Sequence, residues 1–402
     1  MQLIRMNNMS QRLFVDFMGK KLCSPIIVGA GPSTKSCSDI IEAAKFGAGA
    51  AIIKSIGWHA DVEKTLKDRK RYRWIKGYGT YLKSTYLCEI LSKPYGCNLI
   101  KEVKSSSDIP IYASVFYPAL SNEHDIDRWI DLVSEVSNAG CDGVQLDFFY
   151  LDLRKLNDDE VCFFVDAINR ICRSTHLPVM PKLNIAMDDD LIENLLKNSL
   201  SDAYVFIDSI NTEPYIDIWN KGAPLFDGQL YNSQTNRSGS VVAGEALLPF
   251  TFNMTQRLYR STDKNLSAGG GLEHWEDIIR CIMLGASTVH LTSILMRRGF
   301  KYIRDLNSSI NNYLDKQHVE KISDIRGVSY STNAGNTIIQ QKPILDMRAI
   351  IDSSKCNDCG VCERFKVCDS FSVKPYDFIN NCDGCTYCLA LCPRNAISLI
   401  GV

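Results

Sequence analysis

Leu266-Ser-Ala-Gly-Gly-Gly-Leu272 is followed, one helix length later, by Gly285-Ala-Ser-Thr-Val-His-Leu-Thr-Ser293. Each stretch starts apolar and ends in glycines or hydroxyl residues, so each reads as a buried strand running into a loop. Glycines after one strand and hydroxyls after the next let backbone N–H groups come close to a phosphate. In β/α-barrels that is the place of the seventh and eighth strands. Working outward, short apolar runs alternate with longer amphipathic stretches from Cys23 to Arg298. The runs at 26–29, 50–54, 111–115, 143–146, 179–183, 203–207, 266–268 and 288–291 are candidate strands. Several are apolar throughout, as strands of a parallel sheet covered on both faces are. Stretches such as 38–46, 125–139 and 275–284 read as the intervening helices. Eight strands in this rhythm predict a (β/α)8 TIM barrel of the α/β class. Upstream, residues 13–17 and 20–23 around Met18-Gly19 read as a hairpin plugging the barrel's bottom.

The composition narrows the function. The 402 residues carry 45 Lys plus Arg against 46 Asp plus Glu, so no net field draws nucleic acid or an anionic membrane surface. A small-molecule substrate and protein partners are expected instead, and the chain is expected to form a homo-oligomer. The start, MQLIRMNNMSQRLFVDF, lacks the apolar core of a signal peptide, and no run approaches the ~18 apolar residues of a spanning helix. A cytoplasmic location is expected.

The 16 cysteines fall into two populations, eight scattered over the first 281 residues and eight between Cys356 and Cys392. The scattered ones, Cys162 and Cys172 among them, read as core thiols. In the tail, Cys356, Cys359, Cys362 and Cys368 form one run, and Cys382, Cys385, Cys388 and Cys392, followed by Pro393, form another. Zinc knuckles use paired C-x2-C units, whereas a third cysteine two residues on and a terminal Cys-Pro match the bacterial two-cluster ferredoxin pattern. In that pattern the fourth thiolate comes from the opposite run. One [4Fe-4S] cluster is therefore assigned to Cys356, Cys359, Cys362 and Cys392, and the other to Cys382, Cys385, Cys388 and Cys368. The expected domains are a barrel with linker over 1–335 and a ferredoxin-like domain over 336–402, with a polar linker near 323–336.

Further stretches complete a pattern: Ser24-Pro-Ile-Ile-Val-Gly-Ala-Gly-Pro32, Ile53-Lys-Ser-Ile-Gly57, Ala113-Ser-Val-Phe116, Pro181-Lys-Leu-Asn184, Asn211-Thr212, Ala243-Gly244, Trp275-Glu-Asp277 and Leu284-Gly-Ala286. In their order, and with the trailing clusters, they resemble the dihydroorotate dehydrogenase superfamily. The resemblance covers nearly the whole chain and is strongest to the barrel-plus-ferredoxin subunits of bacterial dihydropyrimidine dehydrogenases. It implies FMN, with the phosphate on Gly244, Gly270, Gly271, Thr292 and Ser293. It also implies that Lys54 and Lys182 reach the ribityl chain and the N1/O2 edge, that Asn211 and Thr212 meet the ring or substrate, and that Ala30 lies beneath the isoalloxazine. A dinucleotide reading of Gly29-Ala-Gly31 fails, because no third glycine follows and the next strand ends in Lys54 rather than an acid.

One part of the pattern breaks. The pyrimidine-reducing members carry an Asn after the fourth strand and then a Cys that acts as general acid. Here the stretch reads Gln145-Leu-Asp-Phe-Phe-Tyr-Leu-Asp-Leu-Arg154, with Asp147 at the Asn position and no Cys, and the loop is shortened before a helix near Asn157. The substrate Asn that follows the second strand has no counterpart in residues 84–88. Tyr150, Asp147 and His59 are the candidate proton donors. The expectation is an FMN- and iron-sulfur-dependent oxidoreductase acting on a carbon–carbon bond beside a carbonyl. Its electrons would come from, or go to, a ferredoxin or an NAD(P)H-dependent FAD subunit. The alternatives are an electron-transfer adaptor whose barrel does no chemistry, and a true dihydropyrimidine dehydrogenase subunit.

Overall fold

Burial of both faces is what turns the apolar runs into a parallel sheet. A computed structural model describes residues 11–57, 72–75, 80–84, 90–148, 151, 153–207, 209–212, 216–224, 231–232, 237–238, 240–329, 347–362, 371–372, 377–378, 382 and 384–401. The chain divides into two units, Met1–Tyr330 and Ser331–Val402. In the first, the barrel strands are β1 (Ile26–Val28), β2 (Ala50–Gly57), β3 (Ile111–Phe116), β4 (Gly143–Asp147), β5 (Val179–Lys182), β6 (Ala203–Phe206), β7 (Asn265–Gly269) and β8 (Thr288–Leu291). Each pairs in parallel with its neighbours, and β1 pairs with both β8 and β2, so the sheet closes. All eight expected strands are present. Strand β2 runs past its expected end at Lys54 to Gly57, because a register shift between Ile53 and Ile56 lets pairing with β3 resume at Ile56. Such a bulge turns side chains at a barrel rim, and here it falls on Lys54 and Ser55.

Helices α1 (Cys37–Lys45), α2 (Lys93–Ser106), α3 (Glu123–Asn138), α4 (Asp158–Arg173), α5 (Asp189–Asn198), α6 (Leu248–Ser261) and α7 (Trp275–Met283) cover the sheet. Their starts follow capping chemistry. Asn157 caps α4, accepting from the Glu160 N–H while Glu160 reaches back to the Asn157 N–H. Helix α8 (Ser293–Arg298) is the short extra helix after β8, and α9 (Lys301–Lys316) closes the ring. Part of the expected linker is folded, since Ile322–Ile325 forms a 3-10 turn with Ile322 fully buried. The scattered thiols are mostly inert, with burial pushing Cys23 and Cys172 up to about 11. Cys162 corrects the sequence reading. It lies on the outer face of α4 and is exposed, because the core stripe of that helix is Val161, Phe164, Val165 and Ile168.

The hairpin Val15–Phe17/Lys20–Leu22 lies against the N-terminal ends of the strands. The Met18 N–H donates to Asn265 at the start of β7, Tyr112 of β3 donates to the Phe17 carbonyl, and the two rings meet edge to face at 5.7 Å. Asp142 fastens the plug: its carboxylate accepts from the Ile111 N–H and from Lys104, each at 2.9 Å, and pairs with Lys20 at 2.9 Å. Burial pushes the Asp142 pKa up, but these donors outweigh it and hold the group below the usual carboxylate range. Its stabilisation is therefore fully present above the unfolded-state pKa of about 3.9 and disappears as pH falls through the lower folded value. Asp142→Asn is expected to cost about 1–3 kcal/mol at neutral pH and progressively less towards strong acid. Urea titrations of both proteins across that range check it, and a penalty independent of pH would contradict it.

Two loops at the other end build a second sheet. Ile210–Thr212, Ser240–Gly244, Thr80–Ser84 and Tyr72–Ile75 pair in that order, all antiparallel. Segments from the long connections after β2 and β6 are thus stitched together on the side of the strand C-termini. In the second unit, Met347–Ile351 pairs antiparallel with Ile397–Gly401, Phe371–Ser372 pairs with Asp377–Phe378, and helix α10 (Tyr387–Leu391) lies between. Its small core is Ala349, Cys388 and Ile397.

Candidate active site and cysteine centre

Close backbone approach explains the glycines after β7. Gly270 and Gly271 have φ of 106° and 83°. A Cβ on Gly271 would stand 2.6 Å from the Leu248 nitrogen at the start of α6 and 2.9 Å from the Gly244 carbonyl. One on Gly270 would meet the Ile207 carbonyl and the Thr251 hydroxyl at 3.0 Å. Thr251 donates to the Gly269 and Gly270 carbonyls at 3.0 and 2.6 Å, which fixes the backbone of the turn. The short helix α8 packs against Ser240–Gly244, bringing Thr292 and Ser293 to the same place. On the β1 side, Gly29 and Gly31 abut the Thr292 side chain, and Ala30 lies between them. Asp277 stiffens the loop by accepting from the Glu273 and His274 N–H groups, and the buried Glu273 carboxylate pairs with Arg297 of α8. The glycine turn after β7, Gly244, the start of α6 and the Thr292-Ser293 segment therefore come together at the strand C-termini.

The lumen beside it is polar. Ser55 of β2, Ser114 of β3, and Gln145 and Asp147 of β4 are all buried. Gln145 Nε2 donates to Ser114 Oγ at 2.8 Å, the Ser114 and Ser55 hydroxyls are 3.1 Å apart, and Ser55 donates to Asp147 Oδ2 at 2.6 Å. The bond from Ser55 to Asp147 joins strands that are not neighbours, so both side chains point into the barrel. Lys182 of β5 is buried and stands in register with Asp147. Lys54, on the bulge, is half-buried. Across the lumen, His290 of β8 meets Ser267 of β7 through Nδ1 at 3.2 Å, and Gly29 and Gly269 leave room for its ring. The sequence reading missed Ser55, Ser114, Gln145, Ser267 and His290. Each is a polar residue set among apolar neighbours of a buried strand, and that interruption was the available signal.

The other expected residues are placed as follows. Thr212, half-buried, is on the mouth-side sheet opposite Ser240, and Asn211 is described there through its backbone, paired with Val241. His59 and Tyr150 lie outside the described residues, as does Cys368. Phe148 turns outward between Trp129 and Phe164, with ring centroids at 5.5 and 5.0 Å. Among the described residues of the Asp147–Arg154 stretch, Asp147 is thus the acidic group in the lumen.

In the second unit, Cys356, Cys359, Cys362 and Cys392 line one cavity. Burial pushes the Cys362 thiol up, and the nearby Cys356, Cys359 and Cys392 push it the same way. The Ala396 N–H donates to Cys392 Sγ at 3.2 Å and the Ala349 N–H to Cys382 Sγ at 3.4 Å. Both cysteine runs share a turn: Asp358 and Gly360 flank Cys359 with φ of 54° and 68°, and Gly384 and Thr386 flank Cys385 with 69° and 68°. Left-handed residues on both sides of the central cysteine coil its loop and point N–H groups inward. Among the described residues no three His, Cys, Asp or Glu side chains are grouped to hold a single metal ion.

Over 322 residues the chain is 26% identical to the catalytic subunit of dihydroorotate dehydrogenase B (NAD(+)) from Thermoplasma acidophilum, covering 77% of this chain and 96% of that protein. It is 23% identical over 332 residues to the NAD-dependent dihydropyrimidine dehydrogenase subunit PreA of Escherichia coli, covering 80% and 77% of the two chains. It is also 24% identical over 365 residues to the chloroplastic dihydropyrimidine dehydrogenase (NADP(+)) of Arabidopsis thaliana, covering 84% and 82%. No family model matches the chain. No helix among the described residues is long and apolar enough to cross a membrane.

Proposed function

We propose that this chain, a member of the dihydroorotate dehydrogenase superfamily, is an FMN-dependent oxidoreductase acting on a carbon–carbon bond of a small, pyrimidine-like molecule. The observation that carries the reading is the anion cradle of Gly244, Gly270, Gly271, Thr292 and Ser293 beside a polar lumen that holds Lys182. The cradle fits a phosphate, and a cation in the lumen fits the electron-rich edge of a reduced flavin. Ala30, Lys54, Asn211 and Thr212 complete the proposed cofactor contacts. Bound FMN would supply two-electron exchange with a substrate and one-electron exchange with iron-sulfur centres. The chain's own residues orient the ring, keep water from the lumen and supply the proton. Asp147, Tyr150 and His59 are the candidates for that last task.

The second unit is proposed to be a ferredoxin-type module with two [4Fe-4S] clusters. It is supported by the repeated turn geometry of the two runs, the four-cysteine cavity and the N–H groups donated to sulfur. Electrons would be exchanged with a separate protein, a ferredoxin or an NAD(P)H-dependent FAD subunit.

The test is content. Chain purified without oxygen is expected to carry about one FMN and about eight iron and eight sulfide. Two zinc ions with no sulfide would sink the cluster assignment, and FAD or no flavin after reconstitution would sink the cofactor assignment.

A further inference from the structure

We infer that filling the phosphate cradle and closing the mouth-side sheet are one coupled event, so that the phosphate of the cofactor, more than its ring, assembles the entrance a substrate uses. This rests on the proposed use of the cradle by FMN and goes beyond it to the order in which the site is built.

Gly244 belongs to both structures. Its carbonyl stands 2.9 Å from the position a Cβ would take on Gly271, so it lies directly against the glycine turn after β7. It is also the last residue of Ser240–Gly244, where it is paired with Thr80 of the other loop. With φ of 96° the chain then leaves the sheet, makes the turn Glu245–Leu247 and enters α6. In the first turn of that helix Thr251 donates to the Gly269 and Gly270 carbonyls. One peptide is thus held by the glycine turn, by the start of α6 and by the sheet, and shifting any of the three disturbs the others.

The strand that ends at Gly244 also organises the sheet. Ser240–Gly244 is paired on both edges, with Thr80–Ser84 along its full length and with Ile210–Thr212. Tyr72–Ile75 joins only through Thr80–Ser84, so both segments from the loop after β2 meet the rest of the sheet through this one strand. Helix α8, which begins at Ser293, packs against it as well.

Joining loops that lie far apart in the chain costs closure entropy, and strands outside the barrel ladder have little else to offset it. A ligand that binds the assembled cradle more tightly than the open one shifts the balance by that difference in affinity. Linkage makes the effect reciprocal, so a formed sheet strengthens ligand binding by the same factor. The coupling runs through backbone pairing at Gly244. Flavin-free chain therefore has a folded barrel and an open mouth, and the substrate entrance is completed only after the cofactor is loaded.

Hydrogen exchange read by mass spectrometry on the full chain, freed of flavin and then titrated, tests this. The probes are FMN and riboflavin, which share ring and ribityl chain and differ by the phosphate. Saturating FMN is expected to slow exchange in 80–84 and in 240–244 together by about tenfold or more, while riboflavin at the same occupancy changes either by less than about twofold. Leu82→Pro supplies a second reading. Thr80–Ser84 is paired on both edges, so a proline at its centre removes a ladder bond whichever way that N–H points. FMN affinity should fall about fivefold or more with the melting of the barrel unchanged, although Leu82 is no part of the cradle. Protection confined to 240–244, equal protection by riboflavin, or unaltered FMN affinity in Leu82→Pro overturns the inference. Tight FMN binding with unmoved exchange sinks it alone, whereas a flavin titration showing no FMN binding sinks the flavin reading and the inference together.

Discussion

Alanine at Gly271 is expected to leave the barrel folded and to weaken FMN binding by about a hundredfold, equivalent to ~2.7 kcal/mol. Two separate effects meet at this residue. Its φ of 83° is left-handed, which costs an L-residue about 1–2 kcal/mol. Its Cβ would also stand 2.6 Å from the Leu248 nitrogen and 2.9 Å from the Gly244 carbonyl, so backbone must move. Both neighbours belong to the proposed phosphate cradle, and moving them disorients the N–H groups that would hold the anion. Gly140 separates the two effects. Its φ is 94°, but nothing lies within 4 Å of a Cβ built there. Gly140→Ala should therefore lose only the stability that the left-handed backbone costs and keep FMN. Flavin titration and thermal melts of both variants decide the matter, and equal flavin affinities would remove the cradle from the cofactor site.

The features legible in sequence were those set by local pattern. A strand such as Ile26–Val28 is a short apolar run because both faces are covered, and Gly29 marks its end. The cysteine runs were legible because spacing alone fixes a tight loop, and both central cysteines are flanked by left-handed residues. The lumen network was not legible as a unit. Ser55, Ser114, Gln145 and Asp147 come from three strands, and only barrel closure sets the bond from Ser55 across to Asp147. The mouth-side sheet was hidden for the same reason, since Thr80–Ser84 finds its partner Ser240–Gly244 far along the chain. Cys162 shows the limit of a residue-type argument. Cysteine is usually buried, but helix phase decides, and at this position it points to solvent.

Uracil and thymine are expected to be turned over at least ~10²- to 10⁴-fold more slowly than a matched substrate, the usual worth of a positioned proton donor. Saturating the C5–C6 bond of uracil puts a proton on C5, and the stretch from Asp147 to Arg154 contains no cysteine to give it. In the described part of that stretch Phe148 packs outward against Trp129 and Phe164 while Leu151 and Leu153 are buried, which leaves Asp147 as its candidate donor. Recognition is altered as well as chemistry. Asp147, fixed by Ser55 at 2.6 Å, is an acceptor where a pyrimidine carbonyl needs a donor. A protein can lose one of these and remain a weak pyrimidine reductase, but losing both removes the match in the ground state and in the transition state together. Anaerobic assays with dithionite or reduced ferredoxin on the flavin-loaded chain measure this directly. Uracil turnover at ordinary enzymatic rates would refute it. Once a true substrate is in hand, unchanged turnover by Tyr150→Phe would eliminate Tyr150 as the donor and leave Asp147 and His59.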